Sequence, residues 1–363
     1  MNLAVFLDGT WNDPSDCTNV FQLYTRTGTH DRYGRRQLRY YDAGVGSGRW
    51  DRLRGGVFGW GIDTNLIEGY RFLASRYEPG DCIYLFGFSR GATTARSLAA
   101  MITHNGLVHP SDLPAKRVYQ RYRRRKEVPG LLEMHGDRGL AKSADDWLIL
   151  ERSKCARIHF TGVFDTVGSL GVPGGFLRFI SRRRYGFHDT NLSGLNDHAY
   201  QALAVDEHRR DFRATLWKEQ PARVDCPDRH QGEPCTGSPP GSLGVVEQRW
   251  YAGAHTNVGG GGTKSPEEGN PLSILAREWI ADKAEQAGLQ LDAAAPGSGR
   301  EWRGPISDSH GKFIRGWYGR VFKRDLRPIA ETFNEMPAPE LERRHQAIVG
   351  YRPENPGFEQ LVP

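Results

Sequence analysis

Apolar residues in this chain fall in short runs that end abruptly at small or acidic residues. Leu3-Ala4-Val5-Phe6-Leu7 is unbroken and stops at Asp8-Gly9-Thr10. A run with no polar alternation predicts a strand covered on both faces, hence a central one, leading into a loop. Asp81 to Phe86 follows a Pro79-Gly80 turn and predicts a second strand, and Ala92 to Ile102 supplies a helix after it. Arg157 to Phe164 predicts a third strand, ending at Asp165-Thr166-Val167-Gly168, and Val245 to Tyr251 a fourth that enters a glycine-rich loop around His255. Thr64 to Tyr77 and His198 to Asp206 read as helices. Asn270 caps a further helix with Pro271 at its first position, which runs to about Ala287 and stops at Gly288.

Strands alternating with helices predict an α/β fold: a mostly parallel sheet with helices on both faces and the site at the carboxyl ends of the strands. Between residues 112 and 157 the composition shifts to Arg, Lys and Asp, which reads as an inserted helical region, and Arg223 to Gly244 reads as a surface excursion. The expected organisation is a catalytic domain over 1–290 with insertions at about 105–157 and 172–244 forming a lid. Residues 291–363, where the apolar pattern weakens, are expected as a C-terminal extension packed on the core.

Composition changes this picture little. Hydrophobic residues are 38% and charged residues 25% of 363, ordinary for a globular chain, and the 44 glycines cluster where sharp turns are needed. The net charge of +6 comes from 49 basic against 43 acidic residues, a mixed balance that suits an anionic phospholipid surface at least as well as nucleic acid. Arg121, the run Arg123 to Lys126, and Arg182 to Arg184 lack the context of a nucleic-acid module and read first as solvated helix faces. Arg178 to Arg184, beside Phe176 and Phe179, is the better lipid-surface segment. No stretch approaches the roughly 18 to 20 apolar residues of a membrane span. The opening run lacks a charged n-region, so synthesis in the cytoplasm without a secretory signal is expected. Five scattered cysteines are unlike a disulfide framework and suggest a reducing compartment. Cys226, His230 and Cys235 are too few and too loosely spaced for a closed zinc site, so an exposed loop is the preferred reading.

The sharpest chemical signal is Gly87-Phe88-Ser89-Arg90-Gly91, a G-x-S-x-G elbow with a strand before it and a helix after it. Such a turn projects the serine hydroxyl from the top of the sheet, and the Arg90 amide at the helix start can donate to an oxyanion. A serine hydroxyl needs a base, and the base needs an orienting acid, in the chain order Ser, Asp, His. Asp165 at the end of a strand and His255 in a glycine-flanked loop after another strand fit those roles. The alternatives are weaker. Val5 to Thr10 resembles the start of a haloacid-dehalogenase phosphatase, but its nucleophilic aspartate would fall at Phe6. A non-catalytic interaction protein that kept the fold is opposed by the survival of all three residue types in order.

Four segments carry a family resemblance: Leu7-Asp8-Gly9-Thr10-Trp11-Asn12, Gly87 to Ala92, Phe164 to Ser169, and Gly253 to Gly260. Together they resemble the motifs of the DUF2235 family, which includes the Tle1-type phospholipase effectors of bacterial type VI secretion. The resemblance runs from residue 3 to about residue 280. It implies Ser89, Asp165 and His255 as a catalytic triad, with the loop at Gly9 and Thr10 supplying the second oxyanion amide beside that of Arg90. It also implies a lipid ester as substrate, a phospholipase A-type reaction with no metal or organic cofactor, a peripheral membrane encounter, and delivery by type VI secretion with a secretion-system or immunity partner. One departure is visible: the family commonly has an aspartate two positions after the histidine, where this chain has Asn257.

Overall fold

The computed structural model describes residues 1–9, 12, 14–44, 60–168, 191–227, 244–261, 270–295, 297–312 and 316–362. Among these residues nine strands occur: β1 Asn2–Leu7, β2 Gln37–Asp42, β3 Cys82–Phe88, β4 Leu107–Val108, β5 Ser153–Lys154, β6 Ile158–Phe164, β7 Asn196–Ala204, β8 Val245–Tyr251 and β9 Glu335–Pro337. Seven form one sheet in the order β2-β1-β3-β6-β7-β8-β9, every neighbouring pair parallel. β4 and β5 form a separate antiparallel ribbon.

The unbroken apolar runs are explained by burial on both sides. Leu3, Val5, Leu7, Ile83 and Leu85 belong to a core that also contains residues of the helices Trp60–Ala74 and Arg90–Asn105. Ala4, Phe6, Tyr84, Phe86 and Phe160 belong to the opposite core, with the helices Asn19–Arg26 and Pro271–Gln286. Alternate residues of one strand therefore feed two cores, as the period of a strand requires. Asn270 caps the last of those helices as expected, its side chain accepting from the Leu272 amide.

One expected helix is a strand. His198 to Asp206 is rich in Ala, Leu and Gln, which favour helix locally, yet β7 covers most of this segment between β6 and β8. Ladders on both sides and nearly complete burial outweigh that propensity. Gln201 at its centre is fully buried and satisfied, accepting from Thr166 Oγ1 at 2.6 Å and donating to Gln248 Oε1 at 3.2 Å. β2 and β9, the two edge strands, have no clear apolar signature in the sequence.

Residues 107–154 leave the sheet as three helices, Ala115–Arg123, Leu131–Gly136 and Ala144–Arg152, closed at their base by the β4–β5 ribbon. Arg121 does not belong to a solvated face. It is buried, donates to Asp146 Oδ1 at 2.9 Å and to Asn105 Oδ1 at 2.6 Å, and so ties the inserted helices to the helix behind Ser89. Cys226 also departs from the exposed-loop reading, because it is buried in a disulfide with Cys155 that staples the approach to β6 to the segment after β7. His230, Cys235 and Arg178 to Arg184 lie outside the described residues. No described helix is long and apolar enough to cross a membrane.

Candidate active site

β1 and β3 are neighbours, but the chain leaves β1 outward to β2 and leaves β3 toward β6. Strand order reverses between them, and the carboxyl ends at such a reversal are the usual binding position in an open parallel sheet. Ser89 follows β3 directly, and Asp8 and Gly9 follow β1.

The turn at Ser89 works only with small neighbours. A Cβ on Gly87 would lie 2.6 Å from Ala92 Cα, and one on Gly91 would lie 2.1 Å from the Leu7 carbonyl oxygen. Ser89 itself has φ 58° and ψ −121°, a region costly for a residue with a Cβ. Its backbone amide is anchored by donating to Phe164 O at 3.0 Å, on the next strand.

The three residues predicted from chain order meet at this point. His255 Nε2 lies 2.8 Å from Ser89 Oγ, and His255 Nδ1 lies 2.6 Å from Asp165 Oδ2. With the proton on Nδ1, the imidazole donates to the carboxylate and accepts from the hydroxyl. His255 opens a short helix, His255–Gly259, reached through Gly253 at φ 118°. A Cβ on Gly259 would lie 1.9 Å from the Phe88 ring, so the glycines after the histidine are what allow the loop to close over the elbow. Phe88 and Phe212 flank the imidazole with ring centroids 4.6 and 5.2 Å away.

The surroundings favour the ionised form of Asp165 and the neutral form of His255. Burial alone would raise the Asp165 carboxyl, but the Arg327 guanidinium and the His255 hydrogen bond outweigh it and hold the group well below the usual carboxylate range. For His255 burial is the largest influence and lowers its pKa from the ordinary 6.5, against the opposing pull of Asp165. Burial pushes Asp8 up to about 6, although it accepts from the Gly9 amide at 2.7 Å, from Tyr41 Oη at 2.9 Å and from the Thr18 hydroxyl. Asp8 is thus a loop anchor, tying the turn after β1 to Thr18 and Tyr41.

The expected oxyanion residues are divided. The Arg90 amide heads the helix Arg90–Asn105 next to Ser89. Gly9 packs against Ser89, where an added Cβ would lie 3.4 Å from Ser89 Cβ, but its amide is taken by Asp8. Thr10 lies outside the described residues. Asn257 braces the histidine loop. Its Oδ1 accepts from Ala254 N and Ser307 N, both at 2.9 Å, joining that loop to the C-terminal segment.

Three charged residues at the site have no place in the expectations from sequence. Arg327 donates to both Asp165 oxygens, at 2.6 and 3.0 Å. Glu207, fully buried, accepts from the His255 amide at 3.2 Å and from both arms of Arg209 at 2.8 Å. Glu207 and Arg209 are legible in principle, because they follow β7 at the same end of the sheet as Asp165 and His255. Reading β7 as a helix hides them. Arg327 has no local signal, lying 162 positions from its partner.

A parallel sheet with a strand–serine–helix elbow at its reversal point defines an α/β-hydrolase-like protein. The family described as T6SS phospholipase effector Tle1-like, catalytic domain, matches residues 1–283, and the chain belongs to that family. It is 30% identical over 238 residues to the uncharacterized protein YEL023C of Saccharomyces cerevisiae, covering 61% of this chain and 33% of that protein. A crystal structure of an uncharacterized protein from Pseudomonas aeruginosa is similar at 17% identity and a TM-score of 0.45, covering 90% of this chain and 51% of the other. The structure of the Tle1 effector bound to the VgrG spike from the Type 6 secretion system is similar at 18% identity and a TM-score of 0.37, covering 72% and 51%. The chain therefore spans a third to a half of the lengths of these relatives.

Proposed function

We propose that this chain is a serine esterase that cleaves carboxylic esters of lipids, with a phospholipase A-type reaction on glycerophospholipids as its activity. The observation that carries this reading is the continuous hydrogen-bonded series from Ser89 through His255 to Asp165, set on a strained turn at the carboxyl end of the sheet. His255 Nε2 accepts the Ser89 proton as Oγ attacks the ester carbonyl, and Asp165 stabilises the imidazolium that results. The Arg90 amide, at a helix start, stabilises the oxyanion. Gly9 and its neighbour Thr10 supply the second donor once the Gly9 amide is released from Asp8. Collapse of the tetrahedral intermediate returns the proton from His255 to the leaving alcohol. Water, deprotonated by the same imidazole, then frees the acyl group as a carboxylic acid.

Membership in a T6SS phospholipase effector family supports a lipid as the acyl donor and delivery by a type VI apparatus with a secretion-system partner. The domain reading follows: residues 1–290 act as the catalytic domain and 291–363 as an extension. The segment 172–244, however, contributes β7 to the sheet, and the inserted helices of 107–154 lie beside the starts of β3 and β6, away from Ser89, so neither forms a lid.

The decisive experiment compares the protein with Ser89→Ala on mixed phosphatidylcholine and phosphatidylglycerol vesicles, with lipid products resolved by mass spectrometry. Active protein should release fatty acid and lysophospholipid and take up a fluorophosphonate at Ser89, and the variant should do neither. Equal activity in the variant rejects the reading.

A further inference from the structure

The guanidinium behind Asp165 comes from a part of the chain beyond the family match over residues 1–283. Arg327 is 3% exposed, and its neighbourhood is fixed from both sides. Asn355 Nδ2 donates to the Arg327 carbonyl at 2.9 Å and to the Val205 carbonyl at 3.1 Å, and the Ile329 amide donates to Pro356 O at 2.8 Å. Its fork has two targets on each side. Nη1 donates to Asp165 Oδ1 and to Ala204 O at 2.9 Å, and Nη2 donates to Asp165 Oδ2 and to Phe212 O.

The Asp165 carboxylate is thereby filled. Oδ1 accepts from Arg327 Nη1 and from the Ala204 amide at 3.1 Å, and Oδ2 accepts from Arg327 Nη2 and His255 Nδ1. A carboxylate has about four good acceptor sites, and here all four face fixed donors. It cannot rotate without breaking two or more of them. Removing the arginine would leave a fully buried negative charge with its orientation half released.

The imidazole is faced by few other charges. Glu207 touches its amide, with Arg209 bound to Glu207 as a compensating pair; Ser89 Oγ is neutral, and Phe88 and Phe212 cover the ring. Arg327, acting through Asp165, is the cation that offsets the charge on the orienting acid.

We propose that Arg327 is a positioning residue of the Ser89–His255–Asp165 relay, fixing the plane of the carboxylate and offsetting its charge so that the imidazole remains a neutral base at lower pH. This rests on the esterase reading above. The C-terminal segment then completes the reaction centre as well as covering the core.

The test measures kcat and the pH dependence of kcat/KM with p-nitrophenyl butyrate for the full chain and for Ser89→Ala, Arg327→Met and Arg327→Lys. Arg327→Met should lower kcat by about tenfold or more, because an orienting group held loosely costs rate. Its acid limb should move up by about one pH unit, because the negative neighbour of the imidazole is no longer offset. Arg327→Lys keeps the charge and loses the fork, so kcat should fall while the acid limb stays at its wild-type position. Wild-type kcat and an unmoved limb in Arg327→Met overturn the proposal. If that variant does not fold, Arg327→Lys decides alone, and a kcat within about twofold of wild type overturns it. Full activity in Ser89→Ala removes the esterase reading instead, whereas an inactive Ser89→Ala beside an unaltered Arg327→Met removes only the positioning role.

Discussion

Replacing Ser89 by glycine should give a more stable protein than replacing it by alanine, although neither should turn over an ester. Ser89 sits at φ 58° and ψ −121°, and holding a residue with a Cβ there costs about 1–3 kcal/mol. Both variants lose the 2.8 Å hydrogen bond to His255, so that loss cancels in the comparison. Alanine keeps the Cβ and with it the backbone strain. Glycine releases the strain but gives the unfolded chain extra freedom, which costs about 0.4–1 kcal/mol. The balance favours glycine by about 1 kcal/mol. Urea unfolding at equilibrium reads the difference as a shift in midpoint at a common slope. A glycine variant equal to or less stable than the alanine variant refutes the claim that this turn stores strain.

Further outcomes follow from the same geometry. His255→Ala should lower kcat by about 10⁴-fold or more with an unchanged circular dichroism spectrum, and a loss below about tenfold would show that another group is the base. Glu207 is held down to about 2, against a usual 4.5, by Arg209, in spite of burial. A depressed carboxylate stabilises the fold above its unfolded pKa, so this contribution is intact above 4.5 and is lost as pH falls from 4.5 toward about 2. Urea midpoints should therefore drop over that window in the wild type and drop less in Glu207→Gln; parallel curves would contradict the assignment. The Cys155–Cys226 bond spans 71 positions, and a loop of that size contributes about 4 kcal/mol by restricting the unfolded chain. Cys155→Ser should lower the unfolding midpoint of the oxidised protein, and added reductant should then have no further effect at this pair.

The parts of the molecule legible in its sequence are those where local pattern and tertiary environment agree. β1, β3, β6 and β8 lie close to their expected bounds because burial leaves a run of apolar residues, or one bounded by turn residues. The elbow is legible because two backbones crossing near Ser89 admit only glycine at Gly87 and Gly91. β7 misleads because its alanines and leucine carry helical propensity, and what makes it a strand is its two neighbours. Arg121 looks like part of a charged surface, since nothing nearby in sequence announces Asp146 and Asn105 as its partners. Beyond residue 300 the chain has little amphipathic rhythm. It is held partly by single buried ties, such as Arg344 donating to the Trp302 and Gly304 carbonyls, which leave no periodic trace.

The margin of the sheet beyond β8 bears on how shortened forms would behave. β9 is three residues long and ends in Pro337, which has no amide hydrogen to offer an incoming strand, and the following Ala338 amide turns back to Trp250 O at 2.9 Å. This border discourages chain-to-chain pairing. Fragments ending before Glu335 would uncover the hydrogen-bonding side of Gln248–Trp250 and, with it, a template for self-association.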